Sequence, residues 1–312
     1  MALGIRTSSG ERVLVTVPTR YHAYTAGNGK YSLTAAADFL ADAGFDGADL
    51  SLDQLEPDGD DVLRSVLYSF GNRAAARGLC LPVCHLPFYM PNPDDASAMA
   101  RFSREIEAGI RAAAMLRIPD AAVHPIVRHG SQRCRDLWLS ENIAFFSPLR
   151  ELAGRLGVRL CMENMVGKPY ASHPSEAVYG SRAEDILELS QKLDLAVCWD
   201  FGHANLTGLC QSAELETLRG RVRAVHIHDN DGITDSHRIP FECPAPMGNT
   251  GCTPIDWEDA AEGLRLCDFL ATSNRCLNLE LKTSDLPADR SLRLAHAAKA
   301  IYAARRLAGM LR

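Results

Sequence analysis

Short apolar runs alternate along the chain with longer stretches of helical periodicity, and the cycle repeats about eight times. The strand candidates are 13–17, 45–52, 79–85, 121–124, 158–163, 195–200, 222–228 and 276–282. Residues 32–43, 60–77, 99–116, 141–156 and a last stretch from about 287 to 311 place apolar residues three and four apart, the spacing of a helix with one buried face. Gly44, Gly78 and Gly157 close three of these helices, at the position where a left-handed cap favours glycine. Ser181 followed by Glu184 reads as a capping box for a helix reaching Leu193, and Ile255-Asp256-Trp257 opens another. Strands separated by helices of this length pair in parallel. Eight such units in 312 residues predict an α/β fold, a closed (β/α)8 TIM barrel occupying 1–312 as a single domain. A doubly wound open sheet is the alternative, but the Gly-rich phosphate turn it often carries after its first strand is missing.

Parity along the strands tests the barrel. Cys161 and Glu163 share one face of the fifth strand with Arg159, while Val158, Leu160 and Met162 take the other. In the sixth, Ala196, Cys198 and Asp200 oppose Leu195, Val197 and Trp199; in the seventh, Ala224, His226 and His228 oppose Val225 and Ile227. In the eighth, Cys276, Asn278, Glu280 and Lys282 oppose Leu277, Leu279 and Leu281. Large apolar side chains belong against the surrounding helices and small or polar ones inside the barrel. Each polar set finishes at the C-terminal end of its strand, where barrel active sites lie. The third and fourth strands add His85 and His124 there, and the sixth delivers His203 beside Asp200.

The densest run of such groups is 225–237, where an apolar strand ends in His226, His228, Asp229, Asp235 and His237. Buried imidazoles and carboxylates each need a partner, and zinc or manganese accepts these ligands without a thiolate. His85 and His124 are read as further metal ligands or as hydrogen-bonding groups for a substrate, His228 as support for the ligand shell, and His296 as structural. A formal charge of −6 argues against general nucleic-acid binding. Ten cysteines occur without a CxxC pair, and several lie inside strands as small core residues. With no signal peptide and no run of about 20 apolar residues, a reducing cytoplasm is the expected location and no membrane contact is expected.

The motifs Glu163-Asn164-Met165, Asp200-Phe201-Gly202-His203-Ala204-Asn205 and 226–232 with Asp235 and His237 form a set. Gly248-x-x-Gly251 before Ile255-Asp256-Trp257, and Leu279-Glu280, complete it. In these residues the sequence resembles the xylose isomerase-like barrel superfamily, in particular its sugar phosphate isomerases and epimerases. The resemblance implies a small carbohydrate substrate and a divalent metal held by Glu163, Asp200, His226 and Glu280. Three carboxylates and an imidazole suit manganese, zinc, cobalt or magnesium. Glu163 and Glu280 would remove and return the proton of a C–H next to a carbonyl, through an enediolate, with His203 hydrogen-bonding a substrate hydroxyl or the developing oxyanion. Return to the opposite face is epimerisation; return to the neighbouring carbon is aldose–ketose isomerisation.

A second resemblance, to endonuclease IV, takes in His85, His124, Glu163, Asp200, His203, His226, Asp235, His237 and Glu280. It implies up to three zinc ions and phosphodiester cleavage at abasic DNA. The acidic chain and the lack of a basic, aromatic loop set weigh against it. An inosose dehydratase-like lyase is a further alternative. Lys168, Arg128 and Arg238 are candidates for a phosphate or carboxylate of the substrate. The insertion at 238–251, with its prolines, suggests an ordered lid or a contact between copies in a homo-oligomer.

Overall fold

The computed structural model describes residues 12–22, 32–52, 60–89, 91–127, 135–167, 178–244, 253–272, 275–282 and 289–312. Eight parallel strands close on themselves in sequence order: β1 (Leu14–Pro18), β2 (Gly47–Ser51), β3 (Cys80–His85), β4 (Asp120–Val123), β5 (Arg159–Glu163), β6 (Ala196–Asp200), β7 (Val222–Ile227) and β8 (Cys276–Leu279). β8 pairs back onto β1 through Leu14–Cys276 and Thr16–Asn278. The outer layer is α1 (Leu33–Ala43), α2 (Asp60–Ala76), α3 (Ala96–Met115), α4 (Arg135–Leu156), α5 (Ala183–Leu193), α6 (Phe201–Thr207), α7 (Gln211–Thr217), α8 (Trp257–Leu266) and α9 (Arg290–Met310). No helix among the described residues is long and apolar enough to cross a membrane.

The predicted parity separates two buried layers. Leu160, Met162, Val197, Trp199, Val225, Ile227, Leu277 and Leu279 belong to the core between strands and helices. Inside the barrel, Val83, Ala122, Cys161, Ala196, Cys198 and Ala224 form a separate cluster of small side chains. Below β1 and β8 this interior is polar: Asn278 donates to Asp49 at 2.8 Å, and Thr16 donates to Asn278 at 3.0 Å. Small residues leave the barrel centre open enough for the imidazoles and carboxylates above it.

Three local features depart from the sequence reading or add to it. The capping box at Ser181 does not form: Ser181 Oγ donates to the Val178 carbonyl at 3.0 Å, and α5 starts after Arg182 with no side-chain cap. The Ala183 amide instead donates to Glu214 at 2.6 Å, a tertiary contact replacing the local one. The stretch between β6 and β7 also folds as two seven-residue helices, α6 and α7. Finally, β8 stops at Leu279, so Glu280 lies just past the strand rather than within it. All described cysteines are free thiols.

Candidate metal centre

Each strand end reaches the centre by its own local device. Asp200 closes β6 and caps α6 with one oxygen, Oδ1 accepting from the His203 amide at 2.7 Å. Its other oxygen, Oδ2, is buried without a hydrogen-bond partner. Asn164 ties the neighbouring strand ends together, accepting from the Asp200 amide at 2.6 Å and donating to its carbonyl at 3.0 Å. Gly202 is required where it stands, because a Cβ there would lie 1.9 Å from the His228 ring. That ring approaches Asp200 Oδ1 at 3.2 Å and stacks on His237 at 3.9 Å.

Glu163, Asp200, His226 and Glu280 present donor atoms that all lie within 4.8 Å of one another, and all four residues are buried. His226 Nδ1 is 3.2 Å from Glu163 Oε1, 3.3 Å from Glu280 Oε2 and 3.8 Å from Asp200 Oδ2. Both oxygens of Glu163 and both ring nitrogens of His226 lack a hydrogen-bond partner. Orphaned buried groups of this kind cost several kcal/mol in total unless something satisfies them, at about 1–3 kcal/mol each. Hard oxygens with one imidazole are the donor set of a divalent cation, and the residues present fit one.

Histidines flank this quartet on two sides. His85 Nε2 and His124 Nε2 stand 3.3 and 3.4 Å from Glu163 Oε2. Across the centre, Asp235 Oδ2 accepts from His237 Nε2 at 3.1 Å and lies 3.9 Å from His203 Nε2. His85, His203 and His237 share a further feature. Each Nδ1 bonds a backbone carbonyl, of Leu86 at 2.7 Å, Asn164 at 2.8 Å and Glu280 at 2.7 Å, so that Nε2 faces inward. Fixing the ring and tautomer through its outer nitrogen is how protein imidazoles are prepared as ligands.

The charges follow from this crowding. Burial favours the neutral acid of Glu163, yet His226 and His124 hold its carboxyl well below the usual range. Asp200 is lowered, against its burial, by His203 and His228. Asp235, also against burial, is brought down to about 2 by its bond with His237, whose ring is in turn raised to about 9. A divalent cation would replace such imidazolium protons, so its binding releases protons.

Asp229 belongs with none of these groups. Its carboxylate accepts from Asn230 N, Phe241 N, Ile255 N and Trp257 Nε1 at 2.9–3.3 Å. It anchors the loops that follow β7 and is not available as a ligand. The described part of the insertion is ordered on the outside of the barrel, with Phe241 against Trp257 at 5.4 Å and under Arg306 at 4.0 Å. Arg238 bridges Asp229 through its backbone and points to solvent. Lys168, Arg128 and the Gly248–Gly251 motif lie outside the described residues. His296 accepts or donates a 2.7 Å bond with the Tyr21 hydroxyl, the structural role expected of it.

The family described as "Xylose isomerase-like TIM barrel" matches residues 37–302. The chain belongs to that family. Its fold is shared with a D-tagatose 3-epimerase-like protein (TM-score 0.71, 18% identity, 96% of this chain and 98% of the other). It is shared also with D-psicose 3-epimerase (0.68, 15%, 95% and 99%) and L-ribulose 3-epimerase (0.67, 17%, 96% and 94%). In sequence, 166 residues are 30% identical to the uncharacterized protein MJ1311 of Methanocaldococcus jannaschii, covering 50% of this chain and 53% of that relative. A second match, to the uncharacterized protein y4fM of Sinorhizobium fredii, is 35% identical over 74 residues, 22% of this chain and 24% of the relative. The chain thus spans about half or less of the curated relatives it matches.

One residue of this xylose isomerase-like centre escapes the sequence reading. Arg20, in the 3-10 turn Thr19–His22 after β1, pairs through Nη2 with Glu280 Oε1 and lies over the Phe88 ring at 5.1 Å. Phe88 in turn meets His85 edge-on at 5.3 Å. Applying the strand-end rule to β1 would have found it, since Arg20 stands two residues past Pro18. With Oε1 held by a guanidinium, Glu280 directs Oε2 to the centre, and the two glutamates are not equivalent. Arg20→Ala is expected to weaken metal affinity about tenfold, because Glu280 loses its orientation, with Arg20→Lys between it and wild type. Titration with manganese against a chromophoric chelator measures this; unchanged affinity in Arg20→Ala would remove the role assigned to the pair.

Proposed function

We propose that this protein is a divalent-metal-dependent sugar isomerase or epimerase that moves a proton between carbons of a ketose or aldose. One observation carries the reading: two buried glutamates, Glu163 and Glu280, face one another across His226 at the C-terminal mouth of the barrel. Sugar epimerases of the same fold support it as to kind. Glu163, Asp200, His226 and Glu280 would hold the cation. When bound, it supplies Lewis-acid polarisation of a carbonyl and its neighbouring hydroxyl.

The chain's own groups do the proton work. Glu163, ringed by His85, His124 and His226, stays ionised and can take a proton from carbon. Glu280 can return one from the other side, with Arg20 stabilising the carboxylate as the proton leaves. His203, anchored at Nδ1, offers Nε2 to a substrate oxygen. The burial of Glu163, His226 and Glu280 between the strand ends limits the water that competes for the proton.

A second reading rests on four further imidazoles beside the quartet, three of which, His85, His203 and His237, present Nε2 from carbonyl-anchored rings. His85 and His124 beside Glu163, and His203 and His237 beside Asp235, give the quartet two flanking donor groups. Such a set suits a multinuclear hydrolytic centre acting on a phosphodiester. Metal analysis by mass spectrometry separates the two. One equivalent of manganese, zinc, cobalt or magnesium per chain, with turnover of a member of a ketose panel, is the expected result. Close to three equivalents of zinc, with cleavage of an abasic duplex and no ketose turnover, would replace the sugar reading by the hydrolytic one.

A further inference from the structure

At the N-terminal end of the barrel, opposite the metal centre, a cavity of about 620 Å³ opens between the starts of β5, β6 and β7. Five guanidinium groups line it, Arg150, Arg159, Arg219, Arg221 and Arg223, against one carboxylate, Asp194. Three have acidic partners: Arg150 meets Asp194 at 2.6 Å, Arg159 meets Asp120 at 2.7 Å and Arg219 meets Glu216 at 3.7 Å. Arg221 and Arg223 have no carboxylate partner among the described residues, and Arg221 reaches only the Leu195 carbonyl at 3.5 Å. Two uncompensated cations therefore share one concavity of a chain whose formal charge is −6.

The backbone is shaped to put Arg223 there. Val197 of β6 lies opposite Val222 of β7, but the next residue, Cys198, lies opposite Ala224. Arg223 is thus the extra residue of a β-bulge. A bulge interrupts the ladder and re-aims one side chain, and such devices are placed where a side chain must point somewhere that regular alternation forbids. Without it, Val222 and Val225 could not both face the helical layer, as they do.

We infer that this cavity binds a small molecule carrying a pyrophosphate or triphosphate group, as a second ligand site separate from the metal centre. Planar guanidinium forks match phosphate oxygens in pairs, and a concave, cationic wall concentrates multiply charged anions by focusing the field. A single carboxylate would leave one of the two free cations unmatched, and sugar hydroxyls would leave both. The volume is in the range of about 300–1,000 Å³ typical of small-molecule sites. β5 and β6 start at this cavity and end at Glu163 and Asp200, five residues along each strand. The two sites are thus roughly 15 Å apart on shared strands, at about 3.3 Å per residue. This assignment does not depend on which reaction the metal centre performs.

Calorimetric titration of the whole chain at low ionic strength, with inorganic triphosphate and separately with ATP, tests it. The expected result is saturable binding of one triphosphate per chain, weakened at least tenfold in Arg223→Ser and abolished in the Arg221→Ser/Arg223→Ser double variant. Arg101→Ser, an equal charge change on exposed α3, should bind as wild type does. Tighter binding of ATP than of triphosphate would mark an organic ester as the ligand, and equal binding would mark the phosphate chain alone. Protection of Arg223 from phenylglyoxal by triphosphate, read by peptide mass spectrometry on the wild-type protein, gives a check that needs no variant. No saturable heat from either probe, undiminished binding in the double variant, or binding of duplex DNA without binding of triphosphate would each overturn the assignment.

Discussion

Glu163→Gln is expected to lower turnover of the sugar substrate by about a thousandfold, with Glu280→Gln close behind, in a protein that remains folded. The side chains are nearly isosteric, so packing at these buried positions changes little. What changes is the capacity to accept a proton, and general acid–base groups contribute typically about 10²–10⁴ in rate. Both residues are also in the proposed ligand set, so the comparison belongs at saturating metal, where the amide oxygen still serves as a neutral ligand. Solvent deuterium separates the two roles. If one glutamate removes the proton and the other returns it, each variant should slow uptake of deuterium into recovered substrate to a different degree. Wild-type turnover in either variant at saturating metal would end the two-base mechanism.

The strand-end rule makes most of this candidate centre legible in the sequence. It works because a barrel strand has two faces with opposite demands: Leu160 and Met162 must meet helices, so Cys161 and Glu163 must face inward. That period of two needs only five residues to show itself. The helices α6 and α7 have seven residues each, less than two full turns, and no apolar stripe can declare itself over that length. Asp200 shows the same economy from the other side, since one carboxylate both caps α6 and serves the centre. A sequence displays the residue, not the division of its oxygens.

Asp229 and Arg20 show where residue type stops being informative. Asp229 stands one position from His228 and has the chemistry of a ligand, yet four N–H groups spaced out to Trp257 claim its carboxylate. Those partners are brought together only by the chain's return after β7. Arg20 is separated from Glu280 by nearly the whole sequence, and only closure of β1 onto β8 makes them neighbours. Local pattern therefore identifies which groups reach the barrel mouth. Topology decides which of them are spent on one another.

Stripping the protein of divalent cations is expected to lower its melting temperature by roughly 5–15 °C, and restoring manganese or zinc to recover it. Three buried carboxylates converge on the unpartnered nitrogens of His226, and in the apo protein only Arg20 and imidazolium protons offset their mutual repulsion, a weaker compensation than a divalent cation that all three contact. A cation that binds only the folded chain adds about 2.7 kcal/mol at a hundredfold excess over its dissociation constant and about 4.1 kcal/mol at a thousandfold. For a chain of this size about 1 kcal/mol moves the midpoint by roughly 2–4 °C, which sets the expected range. Asp200→Ala should abolish the metal-dependent shift, because it removes Oδ2 and the α6 cap together. Asp200→Asn keeps the cap and loses only the charge. A shift that survives in Asp200→Asn but not in Asp200→Ala would assign the effect to the cap. A shift that vanishes in both assigns it to the charge at the centre. A melting temperature that ignores chelator and metal alike in the wild-type protein would mean that the quartet of Glu163, Asp200, His226 and Glu280 does not hold a cation at all.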